Sequence, residues 1–350
     1  MSATSTERLR GSGGRPKLAL TLGDPAGIGP EIVAAALRDP RVEQACELVL
    51  IGPDYLRAEV TGGVPVEYRA IDIHDGVTAD GGTAADGPLT ELPFAFDQPL
   101  ERVPLGRASV DGGRAALAAL RRGHELALAG EVDALVTAPV CKEAMHLAGE
   151  RVEGQTQLLA RWAGAVDCQM MAIAGQLRCL IATRHMPLVD AIRSLTPELI
   201  EARLRLLHDS LVELGFPHPH LALAGLNPHA SEGGLFGDEE ERILEPALAA
   251  VRADGLRVTG PEPPDTLFGR ALAGHFDAVL ALYHDQGFIP VKLAAPQSAL
   301  TLLLGMPYLR ISPAHGTAFD IAGKGLADPE NQIGALLAAA EFARARAAHA

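Results

Sequence analysis

Three histidines, His185, His229 and His284, each follow an apolar, strand-like run directly or within a few residues. The runs are 177–183, 221–224 and 278–282. In an open α/β sheet, ligands bind just beyond the carboxyl ends of strands. Three imidazoles delivered to such ends are the donor type that holds a divalent ion with one position open. They lie 44 and 55 positions apart, so no local metal motif exists. Convergence needs the three strands to be neighbours, or to meet across a dimer. Three unrelated loop histidines out of twelve give the same pattern. Asp285 and Asp265 are available as further ligands, or as acceptors that fix the ring tautomers.

The elements that must position these groups alternate in type. Strands are expected at 18–22, 48–51, 134–136, 170–173, 177–183, 221–224, 278–282 and 299–304. Helices are expected at about 32–37, 109–129, 142–148, 196–214, 239–253 and 331–347. Strand followed by helix, repeatedly, implies an α/β fold with mostly parallel sheets. Residues 74–104 are rich in Gly, Pro and Asp and read as a long loop or short antiparallel strands. Residues 1–16 read as a disordered tail with no apolar signal segment.

Composition narrows the class. The chain has 350 residues, 48% of them apolar and only 4% aromatic, with a net charge of -14. That balance argues against nucleic acid and anionic membranes as partners, both of which attract basic surfaces. No apolar stretch approaches the ~20 residues of a membrane span. Four cysteines without CxxC spacing suit reduced thiols in a cytoplasmic protein.

Two glycine-rich stretches bear on a nucleotide. Gly27-Ile28-Gly29-Pro30-Glu31 lacks the third glycine of a dinucleotide fingerprint, and a strand–helix turn explains it as well. The stretch from His315 through Gly316, Thr317, Ala318 and Asp320 to Pro329 resembles the adenosine-binding loop of the isocitrate and isopropylmalate dehydrogenases. That resemblance implies NAD, with Asp320 receiving a ribose hydroxyl. A carboxylate there repels a 2′-phosphate, which favours NAD over NADP.

Further stretches identify a family. They are residues 23–31, 130–139 with 142–144, 227–234, 265–268, 283–287 and 315–318. Together they resemble the 4-hydroxythreonine-4-phosphate dehydrogenases of pyridoxal phosphate synthesis and their paralogues. The resemblance implies a two-domain, isocitrate dehydrogenase-like α/β subunit. The first domain is 17–145 with 296–350, on the nucleotide side. The second is 146–295, with the metal histidines and the dimer interface. It implies a homodimer whose sites are completed across that interface. It implies one divalent metal (zinc, magnesium, cobalt or manganese) on His185, His229 and His284. It also implies substrate contacts from Gln155, Thr156, Lys292, Thr301 and Arg310, and catalytic roles for Lys292 and Asp285. The expected reaction is NAD-dependent oxidation of a small anionic 3-hydroxy acid with loss of carbon dioxide, by default 4-phosphohydroxy-L-threonine.

The sequence also departs from the family. Gly154-Gln155-Thr156-Gln157 stands where the family carries Gly-His-Thr-Glu, and Thr301 replaces an asparagine. Two neutral amides thus replace an imidazole and a carboxylate. The segment 292–296 is similar to paralogues that oxidise cis-dihydrodiol dicarboxylates. The alternative substrates are therefore such a dicarboxylate, or 4-phosphoerythronate or threonate. Other classes are a non-catalytic metabolite-binding protein and a metal-dependent hydrolase or lyase without nucleotide.

Overall fold

The computed structural model describes residues 14–71, 102–296 and 298–349. Most of the expected tail (1–16) and most of the expected loop (74–104) lie outside them; residues 14–16 and 102–104, which are described, are neither helix nor strand. In chain order the elements begin β1 (Lys17–Thr21), α1 (Gly29–Ala36), α2 (Pro40–Ala45), β2 (Glu47–Gly52), α3 (Arg57–Thr61), β3 (Glu67–Ala70) and α4 (Val110–Leu128). Next come β4 (Ala134–Thr137), α5 (Lys142–Leu147), α6 (Gln155–Trp162), β5 (Gln169–Ala174), β6 (Leu177–Ile181), α7 (Leu188–Arg193), α8 (Pro197–Glu213) and β7 (Leu221–Ala224). The last are α9 (Glu245–Ala253), β8 (Val258–Glu262), α10 (Pro264–Leu272), β9 (Ala278–Ala281), α11 (His284–Ala294), β10 (Leu300–Leu304), β11 (Leu309–Pro313) and α12 (Glu330–His349).

The chain divides into two compact units. One is drawn from Met1–Val166 and Met306–Arg344, the other from Asp167–Gly305 and Ala345–Ala350. In the first, the strands run β3-β2-β1-β4-β11, and every neighbouring pair is parallel. Parallel strands covered on both faces read as continuous apolar runs, and Leu18, Leu20, Leu50, Ile51 and Leu135 are fully buried. α4 starts where Ser109 Oγ accepts the Gly112 N–H at 3.0 Å, a helix N-cap. Its glycine pair is a packing device, because a Cβ on Gly113 would lie 2.0 Å from the Ala144 carbonyl oxygen of α5.

In the second unit the order is β10-β5-β6-β9-β7-β8. β10 and β5 are antiparallel, as are β5 and β6, while β6, β9, β7 and β8 run parallel. β9 lies at the centre of the parallel set, paired to β6 on one side and β7 on the other. The three strands that precede the histidines are therefore neighbours. Fold class and the eight expected strands agree with the sequence reading, β3, β8 and β11 are not foreseen in it, and one local reading is corrected. The helix expected from 239 begins as a π-helical turn, Glu240–Leu244, before α9. Pro246 has no N–H for the usual bond and its ring crowds the preceding turn. α11 begins directly after β9, where no helix is expected from the sequence.

Candidate active site

The site is built from strand exits. Thr183 Oγ1 donates to the Leu282 carbonyl at 2.9 Å, and Ala182 N–H donates to the Ala281 carbonyl at 2.7 Å. These bonds carry the β6–β9 pairing past the ends of the strands, so the chains leading to His185 and His284 leave side by side. The two imidazole rings lie 4.9 Å apart between centroids.

His284 is also fixed by its own helix. Its Nδ1 is 2.7 Å from Asp285 Oδ1. A carboxylate oxygen only accepts, so this contact places the proton on Nδ1 and leaves the Nε2 lone pair for a cation. Phe288, one turn on, stacks on the ring at 4.5 Å and 18°. Lys292 is one further turn along the same ridge and exposed. Gln286 ties two strand exits together from the first turn of α11. Its Oε1 accepts the Leu282 N–H at 2.7 Å and its Nε2 donates to the Gly225 carbonyl at 2.7 Å. Gly287 lets α11 approach the sheet, since a Cβ there would meet Cys179 Sγ at 2.8 Å.

The exit of β7 has a different character. Residues 229–232 all have positive φ although none is glycine, with His229 at 54°. Left-handed backbone costs roughly 1–2 kcal/mol per L-residue, so strain of this kind at a strand exit marks a functional candidate. His229 is exposed, with Phe236 at 6.4 Å between rings. Among the described residues no three His, Cys, Asp or Glu side chains are grouped to hold a metal. His185 and His284 are thus brought together, and His229 does not complete a triad within the chain. Asp265 is exposed on α10.

The first unit gathers a second group. Arg310, buried on β11, donates from Nη2 to Thr137 Oγ1 at 2.6 Å and to Gln155 Oε1 at 3.1 Å. These two neutral acceptors orient the guanidinium. Gln155 Nε2 donates to the Ala138 carbonyl at 3.4 Å, and Gln157 Nε2 to Glu153 Oε2 at 2.6 Å. Thr156 is half-buried beside Gln155 in α6. Thr301 belongs to the second unit, buried on β10 opposite Ala172.

The loop after β11 is held by α1. Ile28 N–H donates to the Thr317 carbonyl at 3.0 Å, and Glu31 accepts from the N–H groups of Gly323 and Gly325. A Cβ on Gly27 would lie 2.8 Å from the Thr317 carbonyl oxygen, so Gly27 serves close approach to this loop. Ala318 takes a positive φ of 42°, and Asp320 is exposed. His315 turns its Nδ1 to the Gly316 carbonyl at 3.0 Å.

Two of these groups, Phe288 and Thr137, escaped the sequence reading. Phe288 stands four residues beyond His284, a spacing that signals contact only once α11 is recognised as a helix.

Mostly parallel α/β units with ionisable side chains at the carboxyl ends of strands have the layout in which α/β proteins bind their ligands. Residues 44–339 match the family described as "Pyridoxal phosphate biosynthetic protein PdxA", and the chain belongs to that family. It is 40% identical to the 4-hydroxythreonine-4-phosphate dehydrogenase of Geobacter metallireducens, over 95% of this chain and 97% of that one. It is 41% identical to the D-threonate 4-phosphate dehydrogenase of Cupriavidus necator, over 95% and 98%. A solved 4-hydroxythreonine-4-phosphate dehydrogenase from Klebsiella pneumoniae superposes with a TM-score of 0.76 at 38% identity, covering 94% of this chain and 99% of that one. The chain is accordingly an oxidoreductase, and a dehydrogenase family implies a nicotinamide cofactor in general. Among the described residues no helix is long and apolar enough to cross a membrane.

Proposed function

We propose that the chain is an NAD- and divalent-metal-dependent dehydrogenase that oxidises a small phosphorylated 3-hydroxy acid, which then loses carbon dioxide. 4-Phosphohydroxy-L-threonine is the first substrate to test. The observation that carries this reading is the His185–His284 pair at adjacent strand exits, with Asp285 setting the tautomer of His284. Two imidazoles at adjacent strand exits, tilted 44° to one another, are the donor type that fits a divalent ion of the zinc or cobalt kind. The third ligand in this reading is His229 of a second copy of the chain. Exposed apolar residues support that arrangement: Leu188 and Val189 follow His185, Leu235 and Phe236 follow His229, and Ile289 and Leu293 follow His284. Exposed large apolar groups concentrated around a site mark an interaction surface.

A divalent ion supplies Lewis acidity to the substrate hydroxyl, and NAD supplies the hydride acceptor. The chain's own residues do the rest. Asp285 holds the His284 ring in register. Lys292 neutralises an anionic substrate group, or returns a proton to the carbon that has lost carbon dioxide. Arg310, oriented by Thr137 and Gln155, binds the substrate phosphate or carboxylate at the strand ends of the first unit. Exposed Asp320, on a loop tied to α1, fits a ribose diol and disfavours a 2′-phosphate. The backbone around His315, Gly316, Thr317 and Ala318 shapes the same loop.

A second reading keeps the chemistry and changes the substrate to a phosphorylated aldonate such as D-threonate 4-phosphate. Gln155 and Gln157 favour it, because neutral amides match a C2 hydroxyl and give a C2 ammonium no counter-charge. The test is NADH formation by purified protein with added Zn²⁺, Co²⁺ or Mg²⁺ on 4-phosphohydroxy-L-threonine, D-threonate 4-phosphate and 4-phosphoerythronate. Turnover of the first alone supports the leading reading. Turnover of the others alone selects the second. No NADH from any of them sinks both.

A further inference from the structure

The turn that carries His229 is held from beneath by one buried carboxylate, and we propose that Glu240 is the positioning residue that aims His229 at the metal. The proposal rests on the reading of His229 as a metal ligand. His229, Ala230, Ser231 and Glu232 have φ values of 54°, 51°, 65° and 49°, followed by Gly233 at 68° and Gly234 at 91°. An L-residue disfavours this backbone, so such a run persists only where its surroundings over-determine it.

The turn's own bonds close it. Ala230 N–H donates to the Asn227 carbonyl at 3.1 Å, and Phe236 N–H to the Ser231 carbonyl at 3.1 Å. Gly234 N–H donates to the Ser231 carbonyl at 3.1 Å and to Ser231 Oγ at 3.0 Å. None of these attaches the turn to the body of the unit.

Glu240 provides the attachment. It is only 4% exposed. Its Oε1 accepts the N–H groups of Leu226 and Asn227, both at 2.8 Å, and its Oε2 accepts from Asn227 Nδ2 at 2.8 Å. The same Asn227 amide donates to Glu239 Oε2 at 2.8 Å. The π-helical turn at Glu240–Leu244 sets this side chain facing the exit of β7; such turns recur at functional sites. A Cβ on Gly225 would lie 3.0 Å from Ala230 Cβ and 3.4 Å from Glu240 Oε1, so strand exit, turn and carboxylate pack in contact. Glu240 acts through Asn227 and the turn, not on the ion.

The test uses full-length Glu240→Ala, Glu240→Gln and His229→Ala, with two readouts: amide hydrogen exchange of residues 226–236 and Co²⁺ binding by titration. Glu240→Ala is expected to raise exchange in that segment, leave the rest of the unit protected, and weaken Co²⁺ binding at least tenfold. Glu240→Gln keeps an acceptor for both backbone N–H groups and loses the one for the Asn227 amide. It should show a smaller rise and a severalfold weaker Co²⁺ affinity. If Glu240→Ala does not fold, Glu240→Gln decides, and wild-type exchange and affinity in it overturn the proposal. Wild-type Co²⁺ affinity in both Glu240 variants also overturns it. His229→Ala then locates the error. If it too binds Co²⁺ normally, the ligand assignment fails; if it loses the ion, only the positioning claim fails.

Discussion

Asp24 follows β1 fully buried, with one carboxyl oxygen accepting the Ala26 N–H at 2.9 Å and the other without a hydrogen-bond partner among the described residues. Burial pushes its pKa up to about 6, against the Ala26 bond that lowers it. The folded protein therefore keeps a proton between about pH 4 and 6 that the unfolded chain has lost. The stability this group contributes is complete below that window and is lost as pH rises through 6. Asp24→Asn has no proton to lose. Its stability advantage over the parent should grow by about 1–2 kcal/mol from pH 5 to pH 8. Urea unfolding at the two pH values measures this, and an equal difference at both refutes it. His124 works the other way. Burial, with Arg121 nearby, pushes it down to about 4. Its contribution is complete above about pH 6.5 and is lost as pH falls towards 4. At the same scale, Gln155→His should raise kcat/KM for 4-phosphohydroxy-L-threonine relative to D-threonate 4-phosphate, by roughly tenfold for one recovered polar contact. An unchanged ratio between the two substrates removes position 155 from the specificity argument.

Among the elements, α11 shows where sequence pattern succeeds and where it stops. The strands were legible because parallel strands buried on both faces are continuous apolar runs, as in Leu221–Ala224 and Ala278–Ala281. The helix beginning at His284 was not legible, because Gly287 and Pro290 are residues that ordinarily argue against a helix interior. Gly287 is required by the sheet beneath it, a tertiary reason that no local pattern carries. The candidate site was half legible for the same cause. Histidines at strand ends can be read from the chain, whereas Gln286 reaches a carbonyl, that of Gly225, 61 residues away in the chain. Gln286→Ala leaves a buried N–H and a buried carbonyl unpaired, each costing about 1–3 kcal/mol. Chemical denaturation should show a loss of roughly 2–4 kcal/mol, and a loss below about 1 kcal/mol would show that the bridge is replaceable.

For the whole molecule, the exposed apolar residues beside the three histidines set an expectation about assembly. Leu293 is 78% exposed on the same helix as His284. If a second copy covers this face, Leu293→Asp should shift the protein from dimer to monomer in light scattering and cost it bound metal in the same sample. A variant that stays dimeric with full metal occupancy places the interface elsewhere. The family was legible at this scale because its motifs recur in order along almost the entire chain. The substrate was not, because the departures at 155 and 157 remove an imidazole and a carboxylate without naming the group that takes their place in the ligand.

The order in which the first unit's strands occur in the chain has a consequence for synthesis. β4 pairs with β11 in parallel, Ala134 opposite Leu309, yet the whole of Asp167–Gly305 is translated between them. At ~5–20 residues per second, the ribosome leaves that edge of β4 unpaired for roughly ten to thirty seconds. The second unit's main segment is complete before the first can close. A nascent chain that has yet to make β11 therefore presents an open, apolar strand edge on β4. That is the stage at which the protein is most in need of a chaperone.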